Sequence, residues 1–349
     1  MGPPEATDLA GIDAAGVTAW FAAHVPAARP PLDFSLITGG RSNLTYVVTD
    51  TDGRRFVLRR PPLGKTLASA HDVGREHQIM AALASSPVPV PPVVGLCTDD
   101  SVNGAPFYVM PFVDGLVLRD PEAVAQVDEA VRWAAAESLV DVLATLHAVD
   151  PDSVGLGDLG RREDYVARLL RRWRGQWDQS KTREIPLVEE VAERLARSIP
   201  EQEGASIVHG DYRLDNVIIS PEDGSIRAVL DWELCTLGDP LADVGMLLVY
   251  WTEPGDEVSP LFWAPTTAPG FPRRTDLAER YAARSGRDLS DVDFYVALGL
   301  WKVAVILEGV YARYESGAYG DTDDSYRQFE AVIPQLAEAA HEAAVRAGR

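Results

Sequence analysis

The sequence is poor in cysteine and in basic charge. Its two cysteines, Cys97 and Cys235, are too few for a disulfide framework and have no histidine at metal-ligand spacing. Lysine and arginine number 32 against 53 aspartates and glutamates, so the formal net charge is −21. Because neutralising a phosphate backbone needs surplus positive charge, this balance argues against a protein that binds nucleic acid.

Long apolar runs are also missing. No uninterrupted stretch approaches the roughly 18 apolar residues of a membrane helix. The first residues, from Met1 to Glu5, lack a basic region followed by an apolar run. Apolar residues make up 46% of the chain and charged residues 24%, which suffices to bury a core in one large domain or two smaller ones. We therefore expect a cytoplasmic globular protein that does not bind a membrane.

The pattern of residues 1–113 predicts a small β-sheet with one main helix. Apolar spacing predicts a leading helix over residues 8–24, which is followed by a cluster of prolines. A second helical pattern covers residues 69–83 and ends before another group of prolines. The short β-prone runs of this part of the chain lie at 34–37, 45–49, 55–59, 93–96 and 107–113.

From Pro121 onward the apolar period changes to that of helices, with one strong helix predicted over about 294–314. The exception is a pair of β-prone runs at 217–219 and 226–230, joined by a turn. No low-complexity linker separates the two parts, so we expect a hinge between packed lobes just after Val113. The sequence thus predicts an α+β chain with lobes at 1–113 and 114–349.

The most informative segment is the loop from His209 to Asn216, together with Asp231 after the following pair of β-prone runs. Phosphoryl transfer from ATP needs a carboxylate that orients the acceptor hydroxyl and oxygen donors that hold Mg²⁺ against the phosphates. Asp211, Asn216 and Asp231 are residues of these types, and Asp231 directly follows a predicted strand. An ordinary polar loop with capping Asp and Asn side chains is the alternative interpretation.

This loop resembles the catalytic loop of the aminoglycoside phosphotransferase and choline kinase superfamily. Members of that superfamily have a bilobal protein-kinase-like fold, with a small β-sheet lobe and a larger, mostly helical lobe. The segments 37–43, 107–115 and 301–308 are more similar still to the kinase-like N-terminal domain of bifunctional acyl-CoA dehydrogenases and to their stand-alone actinobacterial relatives. The resemblance implies that Asp211 is the catalytic base and that Asn216 and Asp231 bind Mg²⁺ beside ATP.

The resemblance also implies a nucleotide site in the first lobe. Arg59 stands where the family fold commonly has a phosphate-pairing lysine, and Glu76 in the following helix is its natural partner. A guanidinium can neutralise α and β phosphates, but its planar fork needs a different geometry from an ammonium. A surface arginine and a solvated glutamate are the alternative. The other implied residues are Gly39, Gly40, Ser42 and Asn43 in a loop over the phosphates, and Met110, Pro111 and Val113 at an adenine-binding hinge.

Two regions are candidates for binding the acceptor. Six arginines lie between positions 161 and 174, among them Arg168 and Arg172. They form either the solvated face of an amphipathic helix or a basic rim that recruits an anionic acceptor. In the last strong helix, Trp301 and Glu308 share one side and are candidates to face Asp211. A packed tryptophan and a surface glutamate are the alternative there.

The sequence therefore predicts an ATP- and Mg²⁺-dependent kinase that phosphorylates a hydroxyl group of a small molecule. The basic cluster favours a hydroxy acid or hydroxyacyl-CoA as acceptor, whereas the acidic total would also attract a polycation such as an aminoglycoside. A nucleotide-binding regulator without catalysis is the rival from another class. It is favoured by Arg59 in place of lysine and by the modest glycine loop.

Overall fold

The computed structural model describes residues 9–37, 43–63, 72–202, 204–261, 263–317 and 324–348. The chain divides into two compact units, one formed by Met1–Asp114 with Ala228–Glu233 and the other by Gly115–Arg227 with Leu234–Arg349. The sequence had placed the segment Ala228–Glu233 in the second lobe. It belongs to the first unit because its backbone pairs there, with the Val229 N–H donating to the Pro89 carbonyl at 2.8 Å.

The first unit is built on a five-stranded antiparallel sheet. Its strand order is β1-β2-β3-β5-β4, so the last strand of the chain order lies inside the sheet. Apolar side chains of the leading helix pack on the sheet, where Trp20 and Phe21 join a cluster with Phe56 and Phe107. The strands are β1 (Asp33–Leu36), β2 (Leu44–Thr49), β3 (Arg55–Arg60), β4 (Gly95–Cys97) and β5 (Phe107–Pro111).

Three helices accompany this sheet: α1 (Ala14–His24), α2 (Val73–Leu83) and the single turn α3 (Asp100–Asn103). Each begins after an aspartate whose side chain accepts a hydrogen bond from the first turn, which satisfies an otherwise unpaired N–H. Helix α2 is amphipathic, and one of the residues on its buried side is the charged Glu76. A buried carboxylate on a helix requires partners, which the functional site supplies.

The second unit is mostly helical. Its apolar core lies where α10 packs with α6, α7, α8 and α11, and Leu298 and Ile333 are among its buried members. The helices are α4 (Pro121–Ala125), α5 (Glu129–Ala148), α6 (Tyr165–Ser180), α7 (Pro186–Arg197), α8 (Leu241–Tyr250), α9 (Arg274–Ser285), α10 (Val292–Glu315) and α11 (Phe329–Arg346).

Helix α10 is long and apolar enough to cross a membrane, the one such helix among the described residues. However, 67% of its most apolar window is buried inside the protein, where it packs against α8 and α11. Burial on this scale is typical of a central core helix. The predicted helix over 294–314 therefore forms, with its ends slightly extended.

Short strands frame the loop that the sequence singled out. The strands β6 (Ser206–Val208) and β9 (Thr236–Gly238) pair antiparallel, with Val208 opposite Thr236. Two further strands, β7 (Val217–Ile219) and β8 (Ile226–Val229), follow as a hairpin, as predicted. The loop from His209 to Asn216 thus begins at the end of one strand and ends at the start of another, so both of its ends are fixed by backbone pairing.

Candidate active site

Asp211 and Asn216 are hydrogen-bonded to each other in the loop after β6. The Asn216 side-chain nitrogen donates to the Asp211 carbonyl oxygen at 2.8 Å and to the Asp211 Oδ2 at 3.0 Å. A 3₁₀ turn over Leu214–Asn216 brings the two side chains within reach. Because the amide nitrogen of Asn216 donates to Asp211, its amide oxygen is the atom that could bind a metal ion.

Asp243, in the first turn of α8, holds the backbone of this loop. Its Oδ2 accepts from the His209 N–H at 2.6 Å and its Oδ1 from the Gly210 N–H at 2.8 Å. Burial opposes the charged form of this carboxyl, but His147 at 3.3 Å and the loop N–H groups keep its pKa below the usual value. His147, which sequence reasoning gave no role, thus takes part in bracing the loop.

We expect Asp243→Ala to lower the free energy of unfolding by about 3–5 kcal/mol, because it leaves two buried N–H groups without their acceptor. The wild-type contribution of Asp243 should be present above the unfolded carboxyl pKa of about 3.9 and be lost as the pH falls below it, since folding lowers this pKa. Urea unfolding followed by tryptophan fluorescence measures both. Asp293→Ala is the control. Asp293 is a half-exposed aspartate of the same unit, and its ion pair with Arg346, at 3.5 Å, is open to solvent. Equal losses in the two variants would contradict the bracing role.

Arg213 is a neighbour of Asp211 that the sequence analysis passed over. Its Nε lies 3.6 Å from the Asp211 Oδ2, and its Nη1 lies 3.6 Å from the Asp215 Oδ2. The guanidinium also stacks on the Tyr250 ring, 4.7 Å from its centroid. Burial raises the pKa of Asp215, and Arg213 opposes that rise. The sequence signal for this residue is its position between two aspartates of one loop, Asp211 and Asp215.

In the first unit, Asp231 is paired with Arg59 and Arg59 with Glu76. The Arg59 Nη2 donates to the Asp231 Oδ1 at 2.6 Å, and its Nε lies 3.0 Å from the Glu76 Oε2. Asp231 has a φ of 65°, in the left-handed region that residues with a Cβ rarely adopt. Such a conformation persists only where surrounding contacts enforce it and is typical of functional sites. The structure therefore brings these three predicted residues together.

Glu76 is the buried centre of this group. Its Oε1 accepts from the Asn43 side-chain nitrogen at 2.7 Å, and its Oε2 accepts from the Tyr108 hydroxyl at 3.0 Å. Burial raises the pKa of Glu76, and the charge of Arg59 opposes that rise. Asn43 was predicted at this site, whereas Tyr108 was not. Tyr108 has the one hydroxyl group in the apolar run at 107–113.

Three further residues of the predicted nucleotide site lie on or just after β5. Met110 is buried on β5, Pro111 ends that strand opposite Phe56, and Val113 is half-buried just beyond it. The predicted loop residues Gly39, Gly40 and Ser42 lie outside the described residues.

The acceptor candidates divide into two groups. Arg168 and Arg172 are on α6, where the Arg168 Nη2 donates to the Arg161 carbonyl at 2.5 Å and Arg172 is exposed. The prediction that Trp301 and Glu308 face Asp211 is wrong. Both are buried, and the Trp301 indole N–H donates to the Val188 carbonyl at 2.9 Å.

Glu308 is buried and makes its hydrogen bonds inside the core. Its Oε1 accepts from the Thr182 N–H at 2.8 Å and from the Thr182 hydroxyl at 2.7 Å, and its Oε2 lies 3.7 Å from Arg183. The α10 side chain that does reach the loop is Lys302, which donates to the Gly210 carbonyl at 2.9 Å.

The two predicted metal ligands, one in each unit, carry oxygen donors of the kind that suits a magnesium ion. Asn216 has an amide oxygen to offer and Asp231 a carboxylate that is 28% exposed, and oxygen donors of this kind are the ligands that Mg²⁺ prefers. In the described ranges, no three His, Cys, Asp or Glu side chains form a metal-binding group.

The chain matches one protein family and is similar to parts of longer proteins. The model of the phosphotransferase enzyme family matches residues 33–295. The chain is 36% identical over 321 residues to acyl-CoA dehydrogenase family member 10 of Mus musculus, covering 91% of this chain and 30% of that protein. It is 34% identical over 325 residues to family member 11 of Rattus norvegicus, covering 89% and 40%. The chain thus spans well under half the length of these relatives.

Two solved structures define the fold. A putative aminoglycoside phosphotransferase from Ralstonia eutropha JMP134 is 33% identical and aligns with a TM-score of 0.79 over 96% of this chain and 99% of that one. Choline kinase from Cryptosporidium parvum Iowa II aligns with a TM-score of 0.65 over 95% of this chain and 96% of that one. At 11% identity, this second likeness shows the fold alone. The predicted α+β kinase-like fold is confirmed.

Proposed function

Since the chain belongs to the phosphotransferase enzyme family, we propose that it is a kinase that transfers the γ-phosphoryl group of ATP, with Mg²⁺, to a hydroxyl group of a small molecule. The observation that best supports this proposal is the Asp211–Asn216 pair, held in a loop whose backbone is fixed by Asp243. A carboxylate beside an amide is what the reaction needs to orient an alcohol and to hold a metal ion.

Each group has one task in this proposal. Asp211 accepts the proton of the acceptor hydroxyl as it attacks the γ-phosphorus. Asn216 and Asp231 hold Mg²⁺, which when bound neutralises charge on the phosphate oxygens. Arg59 pairs with the α and β phosphates, and Glu76 fixes Arg59. The other proposed nucleotide contacts are Gly39, Gly40, Ser42 and Asn43 over the phosphates and Met110, Pro111 and Val113 at the adenine.

We propose a hydroxy acid or hydroxyacyl-CoA as the acceptor. Helix α6 carries four of the six arginines of the basic cluster. The ring centroid of its Trp173 lies 5.7 Å from the Nζ of Lys302 on α10, and that Nζ lies 2.9 Å from the Gly210 oxygen. Exposed Arg172, next to Trp173, is therefore well situated to attract an anionic group. Relatives named as acyl-CoA dehydrogenase family members are consistent with an acyl-CoA acceptor.

Reversing two arginines tests this acceptor class. We expect R168E/R172E to raise KM for an anionic acceptor by about tenfold or more, because two attractive charges become repulsive. KM for a cationic aminoglycoside should not rise. The double variant R171E/R174E makes the same charge change on the same helix and should raise KM by less than about threefold. An equal rise in the two double variants, measured by steady-state kinetics, would contradict a specific role of Arg168 and Arg172.

The kinase itself is tested by combining binding with a substrate screen. Isothermal titration with ATP and Mg²⁺ measures nucleotide binding, and mass spectrometry of pooled hydroxy acids, hydroxyacyl-CoAs and aminoglycosides detects a gain of one phosphate. We expect binding together with phosphorylation of an anionic acceptor. Binding without transfer to any acceptor would contradict the kinase and favour a nucleotide-binding regulator. Phosphorylation of aminoglycosides alone would identify an antibiotic kinase instead.

A further inference from the structure

Lys302 is a buried cation in the middle of α10, the one described helix that is long and apolar enough to cross a membrane. Its side chain lies on α10, the residue is 5% exposed, and the ammonium donates to the Gly210 carbonyl oxygen at 2.9 Å. In the part of the chain that the structure describes, no carboxylate forms an ion pair with it. Burying a lysine without an ion-pair partner costs free energy. Its presence in the core therefore points to a contact that depends on the charge.

That contact completes a clamp around Gly210. The Gly210 N–H donates to the Asp243 Oδ1 at 2.8 Å, and the Gly210 carbonyl accepts from Lys302 at 2.9 Å. An anion thus faces the N–H end of the residue and a cation its carbonyl end, which matches the direction of both peptide dipoles. The carbonyl belongs to the peptide bond that leads into Asp211, so the cation fixes the backbone directly before the proposed base.

The clamped residue must also be glycine. Gly210 has a φ of 85°, and a Cβ there would lie 2.8 Å from the Leu234 carbonyl oxygen. Because the left-handed region strains other residues and the space is closed, this backbone is held in one conformation. Lys302 therefore binds a part of the loop whose backbone has one conformation, so its hydrogen bond also fixes the start of Asp211.

Two carboxylates, Asp211 and Asp243, favour the charged form of Lys302. Burial lowers the pKa of His147, so this neighbour of Asp243 is neutral near pH 7. Burial lowers the pKa of Lys302 too, while the charges of Asp211 and Asp243 oppose that change. The Trp173 ring, 5.7 Å away, gives the ammonium a further favourable neighbour. Because Lys302 is only 5% exposed, its ammonium is largely shielded from solvent.

We propose that Lys302 is a positioning residue, whose ammonium fixes the Gly210–Asp211 peptide from the side opposite Asp243 and so aims the Asp211 carboxylate. The catalytic part of this inference rests on the proposed kinase function. The structural part does not, because it concerns the order of the loop backbone alone.

Hydrogen exchange of the loop amides tests the structural part directly. We expect K302M, which removes both the donor and the charge, to raise the exchange rates of the His209 and Gly210 amides about tenfold. V305A is the matched control, since Val305 is buried on the same helix and should change loop exchange by less than about twofold. If K302M does not fold, K302Q keeps a donor but not the charge and should give a smaller rise. Loop exchange that matches V305A in either lysine variant would overturn the proposal.

Kinetics test the catalytic part. We expect K302M to lower kcat by about 10- to 100-fold, because a small misplacement of the base is amplified in the rate. The Kd for ATP with Mg²⁺ should change by less than about threefold, and V305A should keep its kcat. A normal kcat with a loosened loop would overturn the aiming of Asp211. Absence of transfer in the wild type would defeat the kinase function, while the exchange result would still decide whether Lys302 holds the loop.

Discussion

Replacing Asp211 by asparagine is expected to lower the kcat of phosphoryl transfer by about 10³-fold while the Kd for ATP with Mg²⁺ changes by less than about threefold. The variant keeps the shape of the side chain and a carbonyl oxygen that can accept from Asn216, whose Nδ2 lies 3.0 Å from the Asp211 Oδ2. It loses the negative charge that would take the proton of the hydroxyl. Stopped-flow or steady-state kinetics beside nucleotide titration separate the two quantities.

Asp215→Asn is the matched control for this experiment. Asp211 and Asp215 lie in the same loop, and each has a carboxylate oxygen 3.6 Å from the Arg213 guanidinium. Only Asp211 is hydrogen-bonded to Asn216 through its side chain among the contacts described. We expect Asp215→Asn to reduce kcat by less than about tenfold, through the altered position of Arg213. Similar losses in the two variants would mean that Asp211 acts through local charge and not as the base.

The second large effect is expected for Asp231→Ala, which should lower Mg²⁺-dependent turnover by about 10³-fold or more. Several kcal/mol of charge stabilisation depend on a correctly held metal ion. Because Asp231 also accepts from the Arg59 Nη2 at 2.6 Å, the variant frees that nitrogen for the phosphates. ATP binding without Mg²⁺ should therefore be kept or strengthened. Titration of turnover against Mg²⁺ and of ATP binding with and without the metal gives these results.

Asp114→Ala is the control, since Asp114 is an exposed carboxylate of the same unit that also pairs with an arginine, Arg55. It should keep turnover within about twofold, because exposed ion pairs contribute little. Unchanged dependence on Mg²⁺ in Asp231→Ala would show that this carboxylate does not hold the metal.

What the sequence could predict of the site was local in the chain. Asp211 and Asn216 are five positions apart, so their hydrogen bond follows from one turn of backbone. The pairing of Arg59 with Asp231 joins residues 172 positions apart. No periodicity encodes such a contact, because it depends on the return of a short segment to the first unit. Tyr108 could not be selected either, since its strand is typical of any buried sheet.

The errors on α10 have a different cause. Trp301 and Glu308 share a helix face, and the sequence analysis expected that face to point to the loop. Periodicity shows which way a helix faces only when one side is apolar and the opposite side is polar. On α10 nearly every side is buried, so the pattern carried no direction. Lys302, one residue beyond Trp301, faces the loop, and its charge within an apolar helix was the signal to follow.

The lobe boundary shows a related limit. The change of period predicts a lobe boundary after Val113, while the division into compact units starts the second unit at Gly115. The assignment of Ala228–Glu233 to the first unit could not be predicted, because it depends on tertiary contacts such as the hydrogen bond from the Val229 N–H to the Pro89 carbonyl.

The most direct measurement is a crystal structure with a non-hydrolysable ATP analogue and Mg²⁺. We predict that the Asn216 amide oxygen and an Asp231 carboxylate oxygen both bind the metal at about 2.0–2.1 Å, that Arg59 leaves Asp231 for the phosphates, and that the Asp211 carboxylate is directed towards the γ-phosphate side. A metal ion bound without Asn216 and Asp231, or an Arg59 that keeps its present partner while nucleotide is bound, would contradict the account.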